Sequence, residues 1–287
     1  YASRYKIDNL VIGSIIGGQA GEAHKICNFP SYTDISGIEL MTRFQKHAQD
    51  LGAKELFDTV TKITGKFGNF TILTKNGKEI TAKIILLATG LKRRNLNIPS
   101  ESKFVGKGIS YCATCDAAFY KDKTVAVIGG SDAANTASIY LSEIAGKVFQ
   151  VYRREELRGE PTWAEQVIQS PKIEVIYNTN VTKFNGGDSL ESITLDSPHK
   201  GSTTLPVDGV FIEIGSEPDP TLSEQLGLKT DDKRIKVKLD QTTNIKGILA
   251  AGDITTGSNY FRQIITACGE AAIAAETAFW LLQKGNK

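Results

Sequence analysis

"KTVAVIGGSDAANTA", residues 123–137, passes from an apolar run through two glycines into a string of small residues. That order predicts a buried β-strand, a tight turn at Gly129 and Gly130, and a helix starting just beyond. The turn approximates G-x-G-x-x-A, spelled here by Gly129, Gly130, Ser131, Asp132, Ala133 and Ala134, with Ser131 where the second glycine usually stands. Such a turn lets backbone approach a pyrophosphate closely and points the free N–H groups of a helix start at the anion. Alone the motif is weak, because glycine turns also simply end strands. About twenty residues further on, an NAD site carries an Asp or Glu for the ribose hydroxyls. This chain has "VYRREELR" there, with Arg153, Arg154 and Arg158. Guanidinium groups at that place suit a 2′-phosphate, so NADPH is the expected nucleotide. The plainer reading of the same run is a solvated basic face.

Outward from this stretch, apolar runs ending in or near glycine recur: "LVIG" (10–13), "IILLATG" (84–90), "VFQVY" (148–152), "GVFIEIG" (209–215) and "GILAAGD" (247–253). Continuous short runs of this kind predict strands buried on both faces, as in parallel sheets. Helical patterns lie between them. In residues 36–52, Ile38, Met41, Phe44 and Ala48 recur at helical spacing, with Ser36 as N-cap and Gly52 as stop. Residues 131–146 and 262–285 predict further helices, both rich in small residues. Asn76-Gly77 within "KNGK" predicts a hairpin turn, and residues 191–211 predict a second hairpin. Strands alternating with helices give an α/β class with inserted antiparallel ribbons.

Composition narrows the function classes. The 287 residues are 40% hydrophobic and 23% charged, enough for one large or two ordinary domains. A net charge of +2 with no basic stripe argues against a nucleic-acid partner. No apolar run approaches the ~18 residues of a membrane helix, and no signal segment is visible. Four cysteines are too few for a secreted disulfide scaffold, so the expected location is cytoplasmic. The sequence as given starts at Tyr1, and "YASRYKIDNLVIG" reads as a helix end, a turn and a strand; residues upstream are expected.

Two of the four cysteines stand together in "SYCATCDAAFY" (110–120), at Cys112 and Cys115, with Asp116 behind them. Half a metal site, a structural disulfide and a pair cycling between dithiol and disulfide are the competing readings. In a reducing compartment the structural disulfide ranks last. Zinc needs two more ligands; His24 and Cys27 form H-x-x-C, a poor match to ligand spacings. If Cys112 opens a helix, its free N–H groups lower a thiol pKa, and Asp116 is placed to move a proton. Cys268, among Ala and Gly, reads as an inert thiol. Exchange of electrons between a nicotinamide and a disulfide ordinarily calls for a flavin coupler.

The order of "GGQ" (17–19), "NFP" (28–30), "ATG" (88–90), "CATCD" (112–116), "VIGGSDAA" (127–134), "YRREELR" (152–158), "AAGD" (250–253) and "FRQIITACGEAA" (261–272) resembles the low-molecular-weight thioredoxin reductases over essentially the whole chain. The resemblance implies a discontinuous FAD domain, 1–93 with 217–287, and an inserted NADPH domain, 94–216, both Rossmann-like. It implies FAD contacts from Gly18, Gln19, Asn28, Val60, Thr89, Gly90, Asp253, Arg262, Gln263 and Ile264. NADPH contacts would come from Gly129 to Ala133 and from Arg153, Arg154 and Arg158. Cys112 resembles the thiol that attacks thioredoxin, Cys115 the one nearest the flavin, and Asp116 the general acid. It further implies a homodimer and a domain rotation with hinges near Arg93–Asn95 and Gly215–Glu217. Two features depart from the family pattern. Its opening strand and G-x-G-x-x-G are not in this sequence, which leads to the expectation of a fragment lacking roughly twenty to twenty-five residues, the length of a strand–turn–helix unit. Ser131 also replaces a glycine. Another small dithiol protein as acceptor, or a protein that binds NADPH without flavin turnover, are the other expectations.

Overall fold

Five strands of the central segment lie side by side in the order Ile173–Ile176, Lys147–Val151, Thr124–Ile128, Gly209–Ile212, Ile109–Ser110. Every neighbouring pair is parallel. This comes from a computed structural model that describes residues 1–285. The chain divides into two compact units, Arg93–Ser216 and Tyr1–Lys92 with Glu217–Lys287.

In Arg93–Ser216 the central strand is buried on both faces; Val125, Ala126 and Val127 have no exposed surface. The helix Asp132–Ile144 covers one face, packing Ala134, Ala137 and Leu141 onto Val125, Val127 and Phe211. Its small residues let helix backbone lie close to the sheet. The opposite face takes Phe184, Ile193 and Leu205 from an antiparallel ribbon of Val181–Asn185, Ser192–His199 and Ser202–Pro206. The ribbon turns at Lys200 and Gly201, both at positive φ (51° and 85°), as a tight hairpin requires. The second expected hairpin therefore joins the latter two strands.

The other unit holds two parallel pairs, Leu10–Gly13 with Lys54–Phe57 and Ile85–Leu87 with Ile248–Ala250. An antiparallel sheet of Val60–Lys66, Asn69–Thr74 and Glu79–Ala82 carries the Asn76-Gly77 turn, with Gly77 at φ 80°. The helix Gly37–Asp50 is capped by Ser36, whose hydroxyl accepts the Glu39 N–H at 3.3 Å, and it stops at Gly52 with φ 89°. A helix, Ile264–Gly285, closes the described chain.

Three expectations are corrected here. "LVIG" is a strand, but Leu10 and Val11 are 39% and 56% exposed. An apolar run specifies a strand, while burial depends on what packs over it, and nothing among the described residues covers these side chains. Ile38 is 54% exposed, because the buried stripe of its helix runs through Gly37, Leu40 and Met41 instead. Gly37 sets that rotation: a Cβ there would lie 2.0 Å from the Ala20 carbonyl oxygen. The terminal helix holds a 20-residue stretch, Ile264–Gln283, long and apolar enough by length and composition alone to cross a bilayer. The two glutamates in that stretch hide this from a search for unbroken runs. At the opposite end, the Ile7 N–H donates to the Ala2 carbonyl and the Lys6 N–H to that of Ser3, with Lys6 at φ 58°. This is the hydrogen-bond pattern in which helical turns end.

Glu174 gathers Lys147, His199 and Lys200 at 3.0, 3.0 and 2.6 Å, tying two sheet strands to the ribbon. The Lys200 ammonium, aided by Lys147 and opposed by burial, pulls the Glu174 carboxyl down to about 2 from an ordinary 4.5. A depressed carboxylate stabilises the fold above its unfolded pKa and loses that contribution as pH falls through the folded one. Glu174→Gln is expected to lower the melting temperature at pH 7, with the two proteins converging between pH 4.5 and 2. Thermal melts across that range check it.

Candidate active site

The dinucleotide turn sits where the sheet order reverses, beyond the carboxyl ends of Thr124–Ile128 and Gly209–Ile212. Gly129 has φ 142°, and a Cβ there would lie 2.2 Å from the Glu213 carbonyl oxygen. A Cβ on Gly130 would meet the Tyr152 ring at 2.4 Å. Both glycines are required by close packing. Ser131, at φ −112°, is in a conformation any residue adopts, and its hydroxyl makes no capping bond. The Asn135 N–H returns to the Ser131 carbonyl, which leaves the N–H groups of Asp132, Ala133 and Ala134 without a backbone acceptor among the described residues.

The arginine loop is fastened to this turn by backbone. The Arg158 N–H donates to the Gly130 carbonyl at 2.6 Å, and the Glu160 N–H to Asp132 Oδ1 at 2.7 Å. Beneath it, buried Gln150 donates to the Gly129 carbonyl at 3.2 Å and to Asn135 Oδ1 at 2.9 Å, while Asn135 donates to the Arg158 carbonyl at 3.1 Å. The Arg153, Arg154 and Arg158 side chains are exposed and make no ion pair or side-chain hydrogen bond among the described residues. Three unpaired guanidiniums therefore border a helix start with open N–H groups. The Asp132 carboxylate holds the arginine loop, while its backbone N–H stays open with those of Ala133 and Ala134.

Cys112 and Cys115 are joined as a disulfide. Cys112 is the N-cap of a one-turn helix, Ala113–Asp116, with its sulfur accepting the Cys115 N–H at 3.2 Å. So short a helix has little dipole. Buried Ala113 and Ala117 seat the turn against Val127 and Phe211 of the sheet. The Ser110 hydroxyl accepts the Cys112 N–H at 3.0 Å and donates to its carbonyl at 3.2 Å. Cys115 is exposed and Cys112 half-buried, and half-buried Asp116 ends the same turn with its N–H on the Cys112 carbonyl. Just before the pair, the Tyr111 hydroxyl donates to Glu101 Oε1 at 2.5 Å, and Glu101 also accepts the Leu96 and Ile98 N–H groups. Burial and that carboxylate push the Tyr111 phenol well above its usual range.

In the other unit, most of the expected flavin residues are connected. Gln19 Nε2 donates to the Leu91 carbonyl at 3.0 Å, which sets it beside exposed Thr89 and left-handed Gly90 (φ 63°). Asn28 Nδ2 donates to Gln263 Oε1 at 3.0 Å. Ile264, the first residue of the terminal helix, packs with Ile26, Leu40 and Met41, and Met41 lies against Gly17. Val60 stands apart, opening the antiparallel sheet. The Asp253 carboxylate accepts no hydrogen bond among the described residues. Burial raises its pKa, Arg262 opposes this, and Glu270 adds to it.

A family model described as pyridine nucleotide-disulphide oxidoreductase matches residues 1–271. The chain belongs to this family. Among its relatives is the thioredoxin reductase of Treponema pallidum (strain Nichols), 39% identical over 97% of this chain and 90% of the relative. The thioredoxin reductase of Listeria innocua is 34% identical over 97% and 87%. The crystal structure of Lactococcus lactis thioredoxin reductase in its FR conformation superposes with a TM-score of 0.92, at 31% identity, over 99% of this chain and 94% of that one. The T. acidophilum thioredoxin reductase gives 0.89 at 30% identity, over 98% and 92%. These likenesses place this member of the family among the low-molecular-weight thioredoxin reductases, with their two Rossmann-like units.

Glu101, Glu213, Gln150 and Glu270 belong to no motif: Glu213 pairs with Arg93, 120 residues away, Gln150 and Glu270 with partners 12 to 21 residues away, and Glu101 bonds the nearby Leu96, Ile98 and Tyr111. Only the polar residue inside an otherwise apolar segment gave a signal, as with Gln150 in "KVFQV" and Glu270 in the terminal helix.

An Asp whose pKa is raised by the fold destabilises it wherever the group must be ionised. In ligand-free protein, Asp253→Asn is expected to raise stability at pH 7. The gain should shrink as pH falls toward the ordinary aspartate value of 3.8. Urea unfolding at several pH values measures it.

Proposed function

We propose that this chain is a thioredoxin-disulfide reductase that takes its electrons from NADPH through FAD and delivers them from the Cys112–Cys115 pair. The observation carrying the proposal is that pair, closed as a disulfide on the unit whose sheet also bears the dinucleotide turn. The family match and the thioredoxin reductases among the relatives support it.

The residues present fit NADPH. The open N–H groups at Asp132–Ala134 suit the pyrophosphate, and the unpaired Arg153, Arg154 and Arg158 suit a 2′-phosphate. Gly129 and Gly130 supply the backbone approach. They fit FAD in a different way: the unpartnered Asp253 carboxylate suits ribityl hydroxyls, Arg262 stands close enough to it to oppose its rise in pKa, and Gly18, Gln19, Asn28, Thr89, Gly90, Gln263 and Ile264 would supply the remaining contacts. When bound, a flavin supplies two-electron exchange between a nicotinamide and a disulfide.

Within the reduced pair, Cys112 as thiolate attacks one sulfur of the acceptor disulfide, forming a mixed disulfide and releasing the acceptor's other sulfur. Cys115 as thiolate then attacks Cys112 Sγ, re-forming the Cys112–Cys115 bond and releasing the acceptor as a dithiol. Two electrons pass to the acceptor, and its two thiols take up two protons. Asp116 holds and moves a proton at the Cys112 sulfur. Ser110 fixes the Cys112 backbone through both steps.

Two measurements test this. The flavin band of FAD-supplied protein is expected to bleach on anaerobic NADPH addition. A chain that binds NADPH but shows no such band under FAD overturns the flavin path. For the thiol roles, Cys115→Ser is expected to trap a covalent complex with thioredoxin on non-reducing gels, and Cys112→Ser is not. The reverse pattern would exchange the two roles, and complex from neither would remove thioredoxin as acceptor. In addition, replacing Arg153 and Arg154 with Ala is expected to raise KM for NADPH about tenfold or more, equivalent to losing charge-assisted phosphate bonds of 1.5–3 kcal/mol, while NADH use changes little. Steady-state kinetics with both nucleotides reads the difference.

A further inference from the structure

Glu270 lies in the terminal helix and is 5% exposed. Its carboxylate accepts three hydrogen bonds from one loop: the Gly252 N–H at 2.7 Å, the Thr255 hydroxyl at 3.0 Å and the Ser258 hydroxyl at 2.6 Å. That loop, 252–261, carries Asp253 at its start and leads into Arg262. A Cβ on Gly257 would lie 2.4 Å from Glu270 Oε1, so the glycine there admits the carboxylate. Directly after it, Ser258, Asn259 and Tyr260 all stand in the left-handed region, with φ of 48°, 51° and 61°. Three successive residues with side chains in that conformation are strained, and they persist only where neighbours over-determine them. Glu270 grips the first of them. The Tyr260 hydroxyl, donating to Asp231 Oδ2 at 3.2 Å with Arg234 over its ring, grips the last.

We propose that Glu270 is a positioning residue: its buried carboxylate holds the strained loop 252–261 so that Asp253 and Arg262 face one opening and receive the flavin together. Gly252, Asp253, Tyr260 and Arg262 line a common small cleft. This rests on the assignment of Asp253 and Arg262 to flavin. The clamp itself stands on the hydrogen bonds and the strain. Glu270 also lines that cleft, but its carboxylate oxygens are taken up by the loop, and it acts through the loop.

The test uses the full chain. FAD affinity is measured by flavin fluorescence, NADPH affinity by calorimetry, and backbone exchange over 252–262 by deuterium uptake. Glu270→Ala is expected to weaken FAD about tenfold or more, the loss of charge-assisted bonds, and to speed exchange in that loop. NADPH affinity should stay at the parent value. Glu270→Gln is expected to recover FAD affinity to within about threefold, because its amide oxygen takes the Gly252 N–H and its NH₂ meets a hydroxyl that accepts as well as donates. Should Glu270→Ala fail to fold, Ser258→Ala removes one bond of the clamp and is expected to speed exchange at 258–261 and weaken FAD. Parent-like FAD affinity and exchange in Glu270→Ala overturn the proposal, as does a Gln variant as impaired as the Ala variant. A parent that binds no FAD, but whose loop exchange rises in Glu270→Ala, upholds the clamp and sinks the flavin assignment.

Discussion

The closeness of two backbones at the end of a parallel sheet governs the Arg93–Ser216 unit. Gly129 turns against the carbonyl of Glu213, and no side chain fits between them. Because that contact is made, the helix Asp132–Ile144 starts at the carboxyl end of the central strand with its first N–H groups open. The arginine loop can then be fastened to the Gly130 carbonyl, and the guanidiniums remain free for an anion. Backbone contacts fix the loop, so its side chains need no partners inside the protein. The Glu213 side chain meanwhile pairs with Arg93 at 2.6 Å, joining the nucleotide turn to the first residue of the unit.

The redox pair depends on the same sheet. Ala113 and Ala117 pack against Val127 and Phe211, residues of the strands that flank the nucleotide turn. Small side chains on the one-turn helix and at its C-cap allow that seat. Glu101 adds a second constraint, bonding both the Tyr111 hydroxyl and the backbone of 96–98. A buried carboxylate with three donors is well satisfied, whereas removing one partner leaves a charge in a poor solvent. Glu270 solves the same problem in the other unit. Both carboxylates hold loops in shapes that local sequence would not choose.

Asp253 shows the contrasting case. Its carboxylate is partly buried without a hydrogen-bond donor, an arrangement that costs stability in the ligand-free protein. Unsatisfied polar groups of this kind are retained where a ligand supplies the missing donors. Stability and binding thus pull this position in opposite directions.

The strands at 124–128, 147–151 and 209–212, the helix after Gly130, and the cap at Ser36 were legible because each is encoded by neighbours in sequence: apolar runs, glycines and a capping hydroxyl. The CxxC pair and the arginine run were legible for the same reason, and motif order sufficed to indicate the family. What covers a strand is not local, so the exposure of Leu10 and Val11 could not be read from "LVIG". Nor could the rotation of the helix Gly37–Asp50, which a clash with a distant carbonyl decides. That the Asp132 carboxylate holds the Glu160 N–H, 28 residues away, could not be read from the glycine turn either. Glu270 became meaningful only once the terminal helix was laid against loop 252–258. The sequence by itself determined which elements form and which chemistry they carry, because those follow from periodicity and residue type. Tertiary structure alone decided which carboxylates hold loops and which stand open to a ligand, because a hydrogen-bond partner is chosen by distance in space.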